Sequence, residues 1–272
     1  MRVTADKAAN LRAAADRVAR CAGQGAVLVM LPEMFCCPYD STAFPQYAEP
    51  EGGPAWQALS DAARSAQVTL VGGSVPELDA AGRIYNTCYI FDPQGRQIGK
   101  HRKMHLFDID VSGGQRFRES DTLSPGSQVT VVETDFGLLG VAICYDLRFP
   151  ELARLMALRG AKILAYPGAF NMTTGPAHWE ILFRARALDN QVFMLGCAPA
   201  RDEAAGYVSY GNSLVVSPWG SVTGRLGAEE GELLTEMDLD LVDKVRRELP
   251  VLQHRRTDVY ELAEQPERQP GV

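Results

Sequence analysis

Cys144 ends the apolar run Leu138-Leu139-Gly140-Val141-Ala142-Ile143 and opens a short polar turn, Tyr145-Asp146-Leu147-Arg148, ahead of Phe149-Pro150-Glu151. The run predicts a buried strand, and Pro150 a helix start, since its fixed φ and missing N–H cost nothing in a first turn. A thiol so placed is held by the strand, projects past the sheet edge and lies near the positive end of a helix. That setting favours thiolate, the form that attacks an electrophilic carbon. The competing reading is a buried cysteine that packs as a small hydrophobe. Glu33 and Lys103 stand at similar junctions, in Leu31-Pro32-Glu33-Met34-Phe35 and His101-Arg102-Lys103-Met104-His105-Leu106-Phe107. A carboxylate and an ammonium among apolar neighbours at strand ends are costly unless paired or used. Either one could also be half of a structural ion pair, or a charge carried to water on its apolar stem.

The elements that must position these residues alternate along the chain. Apolar residues recur at helical spacing from Asp6 to Ala22, and Gly23 and Gly25 stop the helix. The apolar stretch Val27–Leu31 predicts a strand ending at Pro32-Glu33. A helix from Pro54 to about Gln67 precedes a strand over Val68–Val75. Ile84–Phe91 and Gln97–Lys100 flank Asp92-Pro93-Gln94-Gly95, a hairpin signal. Val129–Thr134 and Leu138–Ile143 bracket a second turn. Further helices are predicted from Pro150 to about Arg159, over Pro176–Asn190 and over Leu241–Leu249. Strands are predicted over Lys162–Tyr166, Val192–Cys197, Leu214–Val216 and Leu233–Met237. Helices mixed with hairpins give an α/β fold with mixed sheets. No repeat or Ser/Gly-rich linker divides the chain, so residues 1–272 read as one domain, with a polar tail after Pro250 that wraps a neighbour or frays.

Composition narrows the functional classes. The 272 residues are 46% hydrophobic and 22% charged with a net charge of −7, the balance of a soluble globular protein. Lys and Arg are interspersed with acids, so neither a nucleic acid nor a membrane surface is an expected partner. No apolar run approaches a membrane span, and the N-terminus has no secretory apolar core. The six cysteines form no CxxC pair and no zinc-type spacing with the four histidines. No metal or cofactor is therefore expected. Adjacent Cys36 and Cys37 are badly placed for a disulfide. Free thiols and a cytoplasmic location follow.

Leu31-Pro32-Glu33, Arg102-Lys103 and Cys144-Tyr145-Asp146-Leu147-Arg148-Phe149-Pro150-Glu151 together resemble the nitrilase superfamily of carbon–nitrogen hydrolases, in order and in separation. Over Lys103–Val111, Glu119–Gly126 and Tyr166–Glu180 the chain looks like the ω-amidase branch. The resemblance implies a four-layer α-β-β-α sandwich and a homodimer or higher homo-oligomer built through helices such as Pro176–Asn190. It implies Glu–Lys–Cys catalysis by Glu33, Lys103 and Cys144 on a small-molecule amide. For the branch, the substrates implied are the ω-amides 2-oxoglutaramate and 2-oxosuccinamate.

On this expectation Glu33 takes the Cys144 proton, passes it to departing ammonia and then activates the water that cleaves the thioester. Lys103 holds the oxyanion together with the Tyr145 backbone N–H. Glu119 matches a second glutamate near the triad and either orients Lys103 or assists the water; a plain electrostatic partner for Lys103 is the alternative. Histidine is the usual base beside Ser or Cys nucleophiles, yet with Glu33 in that role neither His105 nor His178 is needed. Phe35, Tyr39, Phe170, Met172 and Thr173 fall where a substrate pocket would be lined, although Phe35 and Phe170 suit a core as well. A keto-dicarboxylate calls for a cation. Arg148 is one candidate, but its place in a shared motif favours a structural salt bridge.

The chain departs from the family in two places. Only Met1–Thr4 precede the first helix where relatives begin with a strand, so a longer natural reading frame is expected. Asn212 stands where a histidine is expected. Two rival functions are an amidase for another small linear amide, such as deaminated glutathione, and a non-catalytic binding protein that keeps the fold.

Overall fold

The computed structural model of the protein describes residues 1–113 and 115–265. In chain order its first half comprises α1 (Lys7–Gly23), β1 (Leu28–Met30), the one-turn α2 (Phe44–Tyr47), α3 (Pro54–Ala66), β2 (Thr69–Val71), β3 (Val75–Leu78), β4 (Ile84–Phe91) and β5 (Gln97–Arg102). The second half comprises β6 (Asp108–Asp110), β7 (Arg116–Arg118), β8 (Thr130–Thr134), β9 (Gly137–Val141), α4 (Pro150–Leu158), β10 (Ile163–Pro167), α5 (Gly175–Asn190), β11 (Phe193–Cys197), β12 (Leu214–Val216), β13 (Val222–Arg225) and α6 (Asp240–Glu248).

Two mixed sheets face each other. The first runs β1-β2-β4-β3, with β5 on the opposite edge of β4; the second runs β13-β12-β11-β10-β9-β8. β1 pairs parallel with β2, and β10 lies parallel to both β9 and β11, while the remaining pairs are antiparallel. Helices α1 and α3 cover the first sheet, and α4 and α5 the second. Val71, Cys88 and Ile90 of the first sheet share one buried cluster with Val132, Leu139 and Val141 of the second. These contacts make the layers of an α-β-β-α sandwich. Prolines at the starts of α3, α4 and α5 fix where those helices begin.

Three local differences from the sequence expectation carry information. The strand expected over Val68–Val75 breaks in two at Gly72-Gly73. Gly73 has φ +62°, and a Cβ there would sit 2.2 Å from Pro32 O, so only glycine allows the close approach. The break frees Ser74, whose Oγ accepts from Met34 N (2.9 Å) and whose carbonyl accepts from Phe35 N (3.2 Å). The loop bearing Glu33 is bedded on it.

The strand expected over Leu233–Met237 does not form. A stretch with strand-like composition makes a strand only where a neighbour accepts its backbone, and this segment has no ladder partner. It lines a groove of about 1070 Å³ that also runs along β1, the edge strand of the first sheet. None of Glu33, Lys103, Glu119 or Cys144 lines that groove.

The ribbon of β6 and β7 was not legible in the sequence, and it delivers Glu119 directly after Arg118. Of the expected tail, Glu264 pairs with Arg159, whereas residues 266–272 lie outside the described residues.

Candidate active site

Strand ends of both sheets converge on one buried cluster. Glu33 lies three residues after β1, Lys103 directly after β5, Cys144 three residues after β9 and Gly168-Ala169 directly after β10. Lys103 Nζ donates to Glu33 Oε1 and to Glu119 Oε1, each at 2.9 Å. All three side chains are fully shielded from solvent. Glu33 Oε1 also accepts from Asn86 Nδ2 (2.8 Å), and Glu33 Oε2 accepts from Ala169 N (2.8 Å). The other Glu119 oxygen takes Phe107 N at 2.7 Å. Each buried charge is thus both paired and hydrogen-bonded, the condition under which such a group is tolerated.

Gly168 lets the β10 end enter this cluster. A Cβ on it would lie 3.0 Å from the Trp179 ring and 3.4 Å from Cys144 Cα. The Glu33 carboxylate and the Ala169 N–H both act on the Cys144 thiol.

The Cys144 backbone is left-handed, at φ 47°, a strained conformation for a non-glycine residue that clusters at functional sites. Residues Cys144–Arg148 form a single 3₁₀ turn, and α4 begins only at Pro150. The expected thiolate-favouring setting is not found. Burial and then the Glu33 carboxylate push the thiol well above its ordinary range, and Lys103 only partly opposes them. Deprotonation of Cys144 therefore needs a base at hand. Burial raises Glu33 above the usual carboxylate range against the pull of Lys103, which makes it a stronger proton acceptor. Burial pulls the Lys103 ammonium down, but Glu119 and Glu33 outweigh it and hold the group firmly charged.

Tyr39 joins this cluster rather than standing off as a pocket wall. Its hydroxyl donates to Glu119 Oε1 (2.7 Å) and also lies 3.2 Å from Glu33 Oε1. Its ring packs against Tyr207, Phe117 and Phe44, with centroids 4.5, 5.5 and 5.7 Å away. Tyr207 is in turn anchored through its hydroxyl to Ala169 O and feels the charges of Glu33, Glu119 and Arg148. Sequence reasoning missed Tyr207 and Asn86. Asn86 left a trace, as an amide side chain within the mostly apolar strand Ile84–Phe91; Tyr207, in an irregular loop, left none.

The other pocket candidates separate. Phe35 is wholly buried in the core cluster that includes Phe44, Leu59 and Leu31, so it packs the α1–α3 side. Phe170 is buried edge-on against Trp179 at 5.0 Å and carries the Arg148 guanidinium over its ring at 4.9 Å. Met172 and Thr173 are exposed ahead of α5. The salt bridge expected for Arg148 is absent among the described residues. Its Nη1 instead donates to His178 Nδ1 (3.1 Å), and its buried Nε has no partner. Asn212 sits at φ 62°, a conformation asparagine tolerates better than most residues. Its Nδ2 donates to Tyr210 O (2.8 Å), and its carbonyl accepts from Trp179 Nε1 (2.7 Å). Among the described residues no group of His, Cys, Asp and Glu is placed to hold a metal ion.

The family model for carbon–nitrogen hydrolases matches residues 1–247. Among curated proteins, the omega-amidase NIT2-A of Xenopus laevis is 51% identical over 258 residues, covering 95% of this chain and 93% of that one. The omega-amidase NIT2 of Mus musculus is 50% identical over 260 residues, covering 96% and 94%. Among solved structures, Saccharomyces cerevisiae Nit3, a member of branch 10 of the nitrilase superfamily, superposes with a TM-score of 0.87 at 42% identity, covering 94% of this chain and 93% of that one. A mutant of the amidase from Nesterenkonia sp. AN1, showing the result of Michael addition of acrylamide at its active-site cysteine, superposes with a TM-score of 0.76 at 28% identity, covering 93% of this chain and 96% of that one.

Proposed function

The chain belongs to the carbon–nitrogen hydrolase family, and we propose that it hydrolyses the ω-amide of small 2-oxo acids, 2-oxoglutaramate and 2-oxosuccinamate, to the keto dicarboxylate and ammonia. The observation that carries this reading is the buried cluster in which Lys103 bridges Glu33 and Glu119 beside the Cys144 thiol. An amide carbonyl is a poor electrophile, and passage through a thioester divides its hydrolysis into two lower barriers. Glu33 takes the Cys144 proton as sulfur bonds to the carbonyl carbon. The oxygen becomes an oxyanion held by Lys103 and the Tyr145 N–H, donors fixed before the charge develops. Glu33 then returns the proton to the amide nitrogen, the C–N bond breaks and ammonia leaves. A water gives its proton to Glu33 and attacks the thioester. Breakage of the C–S bond restores the thiol with that proton, so each turnover consumes one amide and one water. Glu119 orients Lys103, and Tyr39 fixes Glu119.

Arg148 supplies the cation for the distal carboxylate. Its guanidinium is half-buried between Phe170 and Tyr145 with no acidic partner among the described residues, and its Nε is unsatisfied. A buried donor without a partner is costly, and a substrate carboxylate removes that cost. The relatives' omega-amidase names support this substrate class over deaminated glutathione.

A cytoplasmic homodimer completes the reading. All six cysteines are free, and no helix among the described residues is long and apolar enough to cross a membrane. Ile181 and Leu188 of α5 are exposed, as is Trp219 nearby, which gives a helical apolar face for a second copy. Ammonia release from 2-oxoglutaramate and from deaminated glutathione tests the function. Faster turnover of 2-oxoglutaramate is expected. Release from neither, or preference for deaminated glutathione, overturns the assignment.

A further inference from the structure

Asp146, two residues beyond Cys144, is buried and takes no part in the steps above. Its carboxylate accepts four hydrogen bonds. Oδ2 takes His101 Nε2 and Ile143 N, each at 3.0 Å. Oδ1 takes His105 N at 2.9 Å and His105 Nδ1 at 2.7 Å. A carboxylate only accepts, so both ring nitrogens facing it carry hydrogen.

These partners are not scattered. His101 and His105 flank Lys103 by two residues on either side, while Ile143 immediately precedes the nucleophile. One carboxylate therefore ties the chain on both sides of Lys103 to the turn that carries Cys144. The His105 ring also stacks on Phe149 at 3.6 Å and 9°, and Phe149 N closes the same turn onto Asp146 O at 3.1 Å. His101 Nδ1 lies 3.0 Å from Thr130 Oγ1 of β8, so this arm is fixed to the second sheet as well.

We propose that Asp146 is a positioning residue that sets Lys103 against Cys144, with His101 and His105 as the arms through which it acts. The proposal rests on the assignment of Cys144 as nucleophile and Lys103 as oxyanion donor. Lys103 and Cys144 end strands of different sheets, and Asp146 is a direct polar link between their two strand ends. All four groups facing Asp146 are donors, so an amide in its place must turn an N–H onto another donor. A displacement near 1 Å in such a pair costs roughly a hundredfold in rate.

The test is turnover of 2-oxoglutaramate per reactive Cys144, counted by iodoacetamide incorporation with peptide mapping, in wild type, Asp146→Asn, His105→Ala and His105→Asn. In Asp146→Asn, kcat per reactive thiol is expected to fall about a hundredfold, with KM within about threefold. His105→Ala keeps the backbone bond to Asp146 and is expected to lose about tenfold. His105→Asn, whose amide can replace Nδ1–H, is expected to recover part of that loss. If Asp146→Asn does not fold, the two His105 variants decide alone. A lower melting temperature with wild-type kcat per reactive thiol overturns the proposal, and so does failure of His105→Asn to improve on His105→Ala. Absence of turnover in wild type would instead overturn the hydrolase assignment on which the proposal stands.

Discussion

Glu33 Oε1 and Lys103 Nζ are 2.9 Å apart and sealed from solvent, although 70 positions separate them in the chain. The same ammonium lies 2.9 Å from Glu119, so a single cation keeps two buried carboxylates together. Removing it as Lys103→Met leaves uncompensated buried charge, at a cost of about 3–5 kcal/mol. For a chain of this size the melting temperature is expected to drop by on the order of 10 °C. Calorimetry on the variant measures this; an unchanged melting temperature would show that the pair is not buried as described.

The pH profile follows from the same geometry. Burial raises Glu33 above the ordinary carboxylate range of about 4.3, and as the proposed general base it works only when ionised. Activity should therefore climb with pH through a pKa above that value, with the acid limb of kcat/KM displaced upward. An acid limb at or below the ordinary carboxylate value would contradict Glu33 as the base.

In the proposed reaction Glu33 also controls the reactivity of Cys144. Because the Cys144 thiol is held well above its ordinary range, it does not ionise unaided near neutrality. Glu33→Gln should slow alkylation of Cys144 by iodoacetamide and lower turnover by about two to four orders of magnitude. Alkylation at the wild-type rate in that variant would mean that the thiol is activated by something else.

The role proposed for Arg148 is recognition rather than chemistry. Arg148→Ala should cost about 1.5–3 kcal/mol of carboxylate binding, a ten- to hundredfold loss in kcat/KM for 2-oxoglutaramate. Turnover of a small neutral amide should hardly change. Equal losses on both substrates would remove Arg148 from the carboxylate site.

Phe35 supplies the opposite case. Since it is wholly buried among core residues, Phe35→Leu should cost roughly 1–2 kcal/mol of stability and leave KM for 2-oxoglutaramate within about twofold. A large rise in KM with little loss of stability would return Phe35 to the pocket.

What the sequence made legible was whatever local chemistry encodes. Helix α4 starts at Pro150 as expected, and α5 starts one residue ahead of the expected Pro176. The strands before Glu33 and Cys144 lie where their apolar runs placed them. The convergence of Glu33, Lys103, Cys144 and Glu119 was foreseeable only because motifs far apart in the chain match one family. Other features depend on contacts that no single segment contains. The left-handed turn at Cys144, the Tyr207 anchor on Ala169 and the four donors around Asp146 are tertiary. Leu233–Met237 has the right pattern for a strand and still forms none, because its backbone has no neighbour to pair with. The proton affinity of Cys144 was misjudged for a related reason: a helix end is visible in sequence, whereas the depth of burial and a facing carboxylate are not.

Intact-mass analysis of the enzyme quenched in acid during turnover of 2-oxoglutaramate tests the central claim most directly. Ammonia should be released, and the protein should carry an adduct equal to the substrate less ammonia, mapped to the peptide containing Cys144 and missing in Cys144→Ala. Ammonia release undiminished in Cys144→Ala, or an adduct mapped to another residue, would contradict the account.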